Sequence, residues 1–189
     1  MAAFAEARYF GYESILSSTR IPVKGEFLSP RILMGENNSV EDFEGGPLLL
    51  ARLCPVDYHR FHYPDDGRAV DHQCISGKLH SVNPKALHYK GEIFGTNERQ
   101  VTILETKNFG KLAYIEVGAL CVGLIVQTHP PLGPFKRGEE KGYFLFGAST
   151  VIVLGQKGAW LPSQDILEQT YLGRETLVRL GQEIATLGR

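Results

Sequence analysis

Cysteine is scarce in this sequence, and its spacing excludes two kinds of cross-linked scaffold. The three cysteines, Cys54, Cys74 and Cys121, form no Cys-x-x-Cys pair. An odd number of cysteines at such spacing indicates neither a disulfide framework nor a zinc ribbon. We therefore expect reduced thiols and a cytoplasmic protein.

An excess of one charge and a long apolar run are also absent. The 20 Lys and Arg and 21 Asp and Glu residues give a formal net charge of −1, which creates no basic field for nucleic acid or an anionic membrane. No stretch of about 18 apolar residues is present, so we predict no membrane-spanning helix. The first six residues lack the basic and then apolar start of a secretion signal. Any contact with a membrane is therefore expected to be peripheral.

The segments that are present read mostly as β-strands. Residues 48–53 and 99–105 are rich in strand-forming residues, and residues 112–128 are long enough for two strands or one bent at Gly118 and Gly123. Residues 143–154 suggest a strand pair or one broken strand. The prolines of residues 129–134 predict a surface connector without regular structure, and residues 35–46 predict a loop.

The end of the chain changes its apolar period. Ser163 is a plausible cap of a first short helix, and Gly173 is expected to separate it from a second. The second helix is predicted from an apolar face that could pack on the core, which we favour, or form a homodimer contact. The fold class expected is α+β, a β-rich single domain over residues 1–189 with a C-terminal helical segment. The residues of that face are Leu177, Leu180, Ile184 and Leu187.

Two histidines lie three residues apart in the segment from Asp57 to Gly67. If Pro55 opens a short helical turn, His59 and His62 share one face of it. Histidine is the side chain best suited to proton transfer near neutral pH, although a pair beside a turn can also be purely structural. A His-x-x-His pair can bind a metal, but no third and fourth ligand follow at a familiar spacing, so no metal is expected.

The other four histidines carry no motif, so we expect structural or surface roles for them. They are His72, His80, His88 and His129.

A run of small residues interrupts two strand-forming segments near the end of the chain. Residues 147–149 are Gly, Ala and Ser, between apolar residues 143–146 and 151–154. Small residues inside a strand indicate a bulge or a close approach of another backbone. The alternative is a functional serine, Ser149, held at a sharp turn.

These two segments resemble the motifs of one enzyme family. The segment from Asp57 to His62, followed by Pro64 and Gly67, resembles the Asp-Tyr-His-Arg-x-His-x-Pro-x-x-Gly signature of phosphatidylserine decarboxylases. Residues 144–151 resemble that family's Gly-Ser-Thr processing site. Residues 21–25, 81–84, 117–123, 138–144 and 175–181 are similar to further family segments in the same order. The resemblance implies a compact β-structure in which the serine turn meets the histidine turn.

The resemblance also implies a chemistry for the named residues. Ser149 would attack the carbonyl group of Ala148, and the chain would then split between them to leave a pyruvoyl group, a form of covalent pyruvate, derived from Ser149. The pyruvoyl group accepts the electrons released when carbon dioxide leaves an aminoacyl phospholipid or a soluble amino acid. By position, His62 would be the base for Ser149, and His59 would handle protons during decarboxylation.

Three departures from the family pattern affect self-processing. Glu6 stands where the family has the aspartate that orients the second histidine, and its side chain is longer by one methylene. Ala148 replaces the glycine before the serine, which costs about 1 kcal/mol if that residue needs a positive φ. The sequence also begins about two residues before the segment that carries Glu6, so we expect the family's N-terminal region to be missing.

Two functional hypotheses therefore remain at the level of sequence. The first is a pyruvoyl-dependent carboxy-lyase made by self-cleavage. The second is an unprocessed relative that catalyses a different small-molecule reaction in a biosynthetic pathway, without a pyruvoyl group.

Overall fold

A large antiparallel sheet forms the centre of the structure. The computed structural model describes residues 1–16, 21–23, 26–35, 40–77, 98–118, 124–145 and 149–188. Eight of the strands in these ranges are β1 (Ala7–Ile15), β4 (Gly46–Leu53), β6 (Gly67–Ile75), β7 (Arg99–Thr106), β8 (Gly110–Val117), β10 (Gly133–Phe135), β12 (Ser149–Gly155) and β14 (Thr176–Val178). They pair in the order β10-β6-β7-β8-β12-β4-β1-β14, which we call the large sheet.

A second layer of three strands covers one face of the large sheet. Its strands are β5 (Arg60–His62), β11 (Glu140–Phe144) and β9 (Ile125–Gln127), paired in that order. We call it the small sheet. Two further pairs are β13 (Trp160–Pro162) with β15 (Ala185–Leu187), and β2 (Ile21–Val23) with β3 (Glu26–Leu28). The described helices are α1 (Pro30–Met34), α2 (Gln164–Tyr171) and a 3₁₀ turn over Val40–Phe43.

Alternating residues of the central strands belong to two separate hydrophobic clusters. β12 is buried along its whole length, because both faces of the large sheet are covered, and such strands carry continuous apolar runs. We call the face that packs against the small sheet the inner face. Its cluster includes Leu49, Ala51, Leu53, Tyr114, Val151 and Val153, together with Phe61, Ile125 and Phe144 of the small sheet. The opposite cluster includes Leu48, Leu50, Ile152, Leu154, Leu33 and Met34.

The described residues confirm the predicted α+β class and most predicted strands. The segment 112–128 contains two strands, the end of β8 and β9, with Gly118 just after β8; Gly123 lies outside the described residues. The segment 143–154 is a pair of strands that lie in different sheets. Because a chain that passes from one sheet to another must interrupt its strand, this arrangement fits the small residues found between the two apolar runs.

The predicted second C-terminal helix is wrong. Gly173, with φ 70°, follows the end of α2, but residues 176–178 and 185–187 form β14 and β15. Pairing with β1 and β13 satisfies their backbone groups, and Leu177 and Leu187 remain exposed. Ser163 does precede α2, although its hydroxyl makes no capping hydrogen bond. The helical spacing of the four apolar residues is thus coincidental.

Three local predictions also need correction. Residues 54–57 form a turn closed by Asp57 N donating to Cys54 O (2.9 Å), and His62 lies in a strand, so the two histidines share no helical face. Residues 133 and 134 of the predicted connector belong to β10, because an edge strand tolerates a proline. The predicted loop over residues 35–46 contains the 3₁₀ turn.

Candidate active site

Ser149 lies in the interior, at the start of β12. It pairs with Leu53 of β4 and shares strand parity with Val151 and Val153, so its side chain points to the inner face. The residue is fully buried, and its hydroxyl has no hydrogen-bond partner among the described residues. A buried unpaired hydroxyl is costly, and such groups are frequent at functional sites. Ala148 lies outside the described residues, so cleavage at this bond stays a prediction.

His62 is held in one tautomer by a backbone carbonyl. Its Nδ1 lies 3.0 Å from the Gly138 oxygen; since a carbonyl can only accept, Nδ1 carries the proton and Nε2 has a free lone pair. Nε2 is buried and has no partner among the described residues. Gly138 adopts φ 78°, a conformation that favours glycine. The ring of Tyr58 stacks on His62 at 6.0 Å between centroids.

His59 also presents a buried, unpaired nitrogen. Its Nε2 lies 3.4 Å from the Pro55 carbonyl oxygen and can donate to it, and its Nδ1 has no partner among the described residues. Its backbone oxygen accepts from Phe144 N (2.9 Å). The chain from Leu53 to His59 is thereby joined at both ends to the chain from Phe144 to Ser149. This pairing brings the histidine segment beside the serine strand.

The structure does not join the serine to either imidazole by a hydrogen bond within the described residues. Phe61 packs against Phe144 and Tyr114 in the core, so alternation along β5 directs His62 to the other side. Catalytic contacts are often long in a free enzyme and shorten only in the reacting state. The segments are therefore adjacent, while their direct contact stays a prediction.

Glu6 lies on the segment that pairs with the histidine strand. Ala5 bridges Phe61, and Phe4 O accepts from His62 N (2.7 Å). Glu6 is half-buried, and within the described ranges it makes no hydrogen bond to His62, whose ring is oriented by Gly138. The orienting role predicted for Glu6 therefore stays a prediction.

A different carboxylate, that of Glu140, belongs to the strand beside His62. Burial raises the pKa of Glu140, but hydrogen bonds from Arg60 and Thr128 lower it below its ordinary value. Glu140 lies directly opposite His62 in the small sheet.

The sequence identifies Asp57 as the first residue of the signature, but it does not show that this residue fixes the histidine turn. The Asp57 carboxylate accepts from Cys54 N (2.7 Å) and from Arg8 Nη1 (2.8 Å). It therefore closes the turn before His59 and ties it to β1. An aspartate that bonds a neighbouring backbone N–H group three residues earlier is a common device at turns, but the distant arginine gives no local signal.

A second ion pair anchors the strand beside Ser149. Arg52 of β4 donates two hydrogen bonds of 2.7 Å to Glu175, and both side chains are nearly buried.

Glu175→Gln should leave the guanidinium without its counter-charge and lower the free energy of unfolding by about 2 kcal/mol, measured by urea denaturation. The control Glu41→Gln breaks an exposed pair with Arg31 and should change it by less than about 0.5 kcal/mol. Equal effects would contradict the assignment.

His72 and His129 both make local hydrogen bonds, whereas His80 and His88 lie outside the described residues. His72 Nδ1 lies 3.0 Å from Thr102 Oγ1, and His129 Nδ1 lies 3.2 Å from Tyr63 Oη. Burial, and to a lesser degree the charge of Lys141, lowers the pKa of His72 below its ordinary value of 6.5. These partners are those of structural histidines.

The lowered pKa of His72 predicts a pH dependence of stability. As the pH falls, the unfolded chain binds a proton at this residue before the folded chain does, so the free energy of unfolding should fall below about pH 6.5. His72→Gln removes the titration while an amide can still bond Thr102. We expect its urea-unfolding free energy to decline less than that of the wild type between about pH 6.5 and pH 5. Parallel declines would contradict this assignment.

The described ranges show neither a metal-binding cluster nor a membrane-spanning helix. No group of three or more His, Cys, Asp or Glu side chains there is placed to hold a metal ion. No described helix is both long and apolar enough to cross a membrane.

Comparison with known proteins assigns the family. The family model described as phosphatidylserine decarboxylase matches residues 1–186. The chain is 45% identical over 179 residues to a phosphatidylserine decarboxylase proenzyme of Clostridium perfringens, covering 95% of this chain and 61% of the relative. It is 44% identical over 182 residues to that of Clostridium novyi, covering 96% and 62%. This chain thus spans about three-fifths of the length of these relatives. The comparisons confirm the predicted resemblance: the chain belongs to the phosphatidylserine decarboxylase family.

Proposed function

We propose that this chain is a pyruvoyl-dependent carboxy-lyase that matures by self-cleavage between Ala148 and Ser149 and acts on a serine phospholipid. The observation that carries the proposal is the fully buried Ser149 hydroxyl without a partner among the described residues, at the processing-site position of the family motif. The names of the relatives, phosphatidylserine decarboxylase proenzymes, support the substrate class and the processing. They also make the unprocessed alternative less favoured.

The first step belongs to Ser149. Its oxygen forms a bond to the carbonyl carbon of Ala148 while the bond from that carbon to the Ser149 nitrogen breaks, and the hydroxyl proton passes to this nitrogen. A serine hydroxyl is a weak nucleophile until a base takes its proton. Elimination then removes the Cα proton of residue 149 and expels the carboxylate of Ala148, which leaves a dehydroalanine at the new terminus. Water hydrolyses the imine form of this residue, and the loss of ammonia leaves the pyruvoyl group.

His62 is proposed as the base that accepts this proton. The Gly138 carbonyl leaves Nε2 as the basic nitrogen, and no described group competes for it. Glu6, on the paired segment, is proposed to support the charge that His62 acquires. Positioned acid–base groups of this kind accelerate reactions by about 10²–10⁴-fold.

His59 is proposed to handle the proton of the decarboxylation itself. Its Nδ1 is buried and unpaired among the described residues, and its backbone is joined to the strand that leads to Ser149. When formed, the pyruvoyl group supplies an electron sink for the leaving carboxylate. The buried Ser149 position would keep that group out of water.

The release of carbon dioxide tests this function. The purified protein is incubated with vesicles containing a phospholipid whose serine headgroup is labelled at the carboxyl carbon, or with equally labelled free serine. We expect labelled carbon dioxide from the vesicles and at least about tenfold less from free serine, because the relatives are named for the lipid. Release of labelled carbon dioxide from free serine alone would overturn the proposal of a lipid substrate. If the protein is cleaved but releases carbon dioxide from neither compound, the proposed carboxy-lyase activity is overturned.

A further inference from the structure

A pair of opposite charges is buried between the two sheets. Lys141 of β11 donates to Glu116 Oε1 of β8 and to Gln127 Oε1 (3.0 Å). The side chains of Lys141 and Glu116 are 2% and 0% exposed. The lysine nitrogen also lies over two aromatic rings, 5.3 Å from the centroid of Tyr114 and 5.8 Å from that of Phe61.

The pair connects the strands next to Ser149 and His62. Glu116 lies opposite Val151 of β12, and Ser149 is two residues along on the same face, a diagonal neighbour about 7–8 Å away between Cα atoms. Lys141 belongs to the strand that pairs with β5, where Glu140 lies opposite His62. The ion pair therefore bridges the sheet that carries the serine and the sheet that carries the histidine.

Uncharged hydrogen bonds also cross the same gap. Tyr114 Oη, on β8, donates to the backbone oxygen of His62 (3.2 Å). Burial raises the pKa of Tyr114 well above its ordinary value, so the phenol keeps the proton that it donates. Gln127 Nε2, on β9, donates to Gln100 Oε1 of β7 (2.7 Å). The inner face of the large sheet is thus hydrogen-bonded directly to the histidine strand, next to the ion pair of Glu116 and Lys141.

Stability alone gives a weak reason for burying these charges. A buried ion pair loses so much hydration that apolar residues of similar size often stabilise a protein equally well or better. Here burial raises the pKa of Glu116, and its Oε2 has no partner among the described residues. The pair differs from apolar packing in holding two sheets at one fixed separation.

We propose that Glu116 and Lys141 are positioning residues whose ion pair sets the distance between the Ser149 strand and the His62 strand. The inference rests on the proposed function, because it concerns the geometry of self-cleavage. Catalytic rates are sensitive to displacements of about 1 Å, which can cost about 100-fold. An apolar bridge of similar volume would fold but would not define the separation.

A double variant separates positioning from stability. In Glu116→Leu/Lys141→Met, we expect the urea midpoint to stay the same or rise, while self-cleavage in a cell-free translation time course slows at least about 30-fold. A second variant, Glu116→Asp, keeps both charges but shortens the bridge by one methylene, and should slow cleavage at least about tenfold. The control Asp42→Asn/Lys111→Gln removes an exposed pair and should leave the cleavage rate unchanged.

The outcomes distinguish this inference from the proposed function. If the self-cleavage rates of these variants fall without a matching fall in their urea midpoints, the positioning role is supported. If the wild type cleaves and both the double variant and Glu116→Asp cleave within about threefold of it, the positioning role is overturned and the proposed function stands. If rates merely follow stabilities, the pair is structural and the inference is overturned. If the wild type itself does not cleave, the proposed function fails, and the positioning role fails with it.

Discussion

Ser149→Ala is expected to leave the chain as one uncut polypeptide. The substitution removes the only side-chain atom that we propose forms a bond to the Ala148 carbonyl carbon, and alanine fits the buried position without steric cost. Cleavage should fall below detection, because neither a new nucleophile nor a path around the ester step is supplied. On a denaturing gel the variant should run as a single band, while the wild type gives fragments of residues 1–148 and 149–189.

Thr150 offers a matched control for this variant. Its hydroxyl belongs to the next residue of the same strand and is also buried and unpaired among the described residues, but alternation places it on the opposite face of the sheet. Thr150→Val removes that hydroxyl at nearly constant volume, and cleavage should proceed. Fragments from Ser149→Ala, or an uncut Thr150→Val, would contradict the assignment of the nucleophile.

His62→Gln is expected to slow self-cleavage by at least about 100-fold. The amide can still bond the Gly138 carbonyl, so the local backbone should hold, but it offers no basic nitrogen. Loss of a positioned base typically costs about 10²–10⁴-fold. The measurement is the fraction cleaved over time after cell-free synthesis, with the urea midpoint of each variant recorded.

His129→Gln is the control for the loss of an imidazole. His129 bonds Tyr63 and lies in the same part of the small-sheet region, but no proton transfer is assigned to it. Its variant should cleave at the wild-type rate. A His62→Gln protein that cleaves within about threefold of the wild type would remove His62 from the base role, even if Ser149 remained essential.

The strands were predictable because their apolar runs are long and need little context. Residues 48–53 lie within β4, which is buried almost throughout and shows itself by its apolar composition. Residues 99–105 lie within β7, a partly buried strand that is recognisable by its strand-forming residues. The tail was not predictable in this way. Four apolar residues at helical spacing also arise from two short strands, and only the pairing of β14 with β1 and of β15 with β13 decides between them.

The residues of the candidate site show the same contrast between local sequence patterns and distant contacts. Ser149, His59 and His62 could be named from family motifs, because each lies within a short local pattern. Their partners could not be named, since the Gly138 carbonyl is 76 residues from His62, and Lys141 is 25 residues from Glu116. The helical turn expected after Pro55 failed for the same reason. Distant strand pairing, with Phe4 O accepting from His62 N, determines the backbone at the second histidine.

The intact mass of the freshly purified protein shows directly whether the chain has been cleaved between Ala148 and Ser149. We expect two polypeptides, residues 1–148 and residues 149–189, the second beginning with a pyruvoyl group in place of serine. A single species of 21.0 kDa that retains Ser149 would contradict this cleavage.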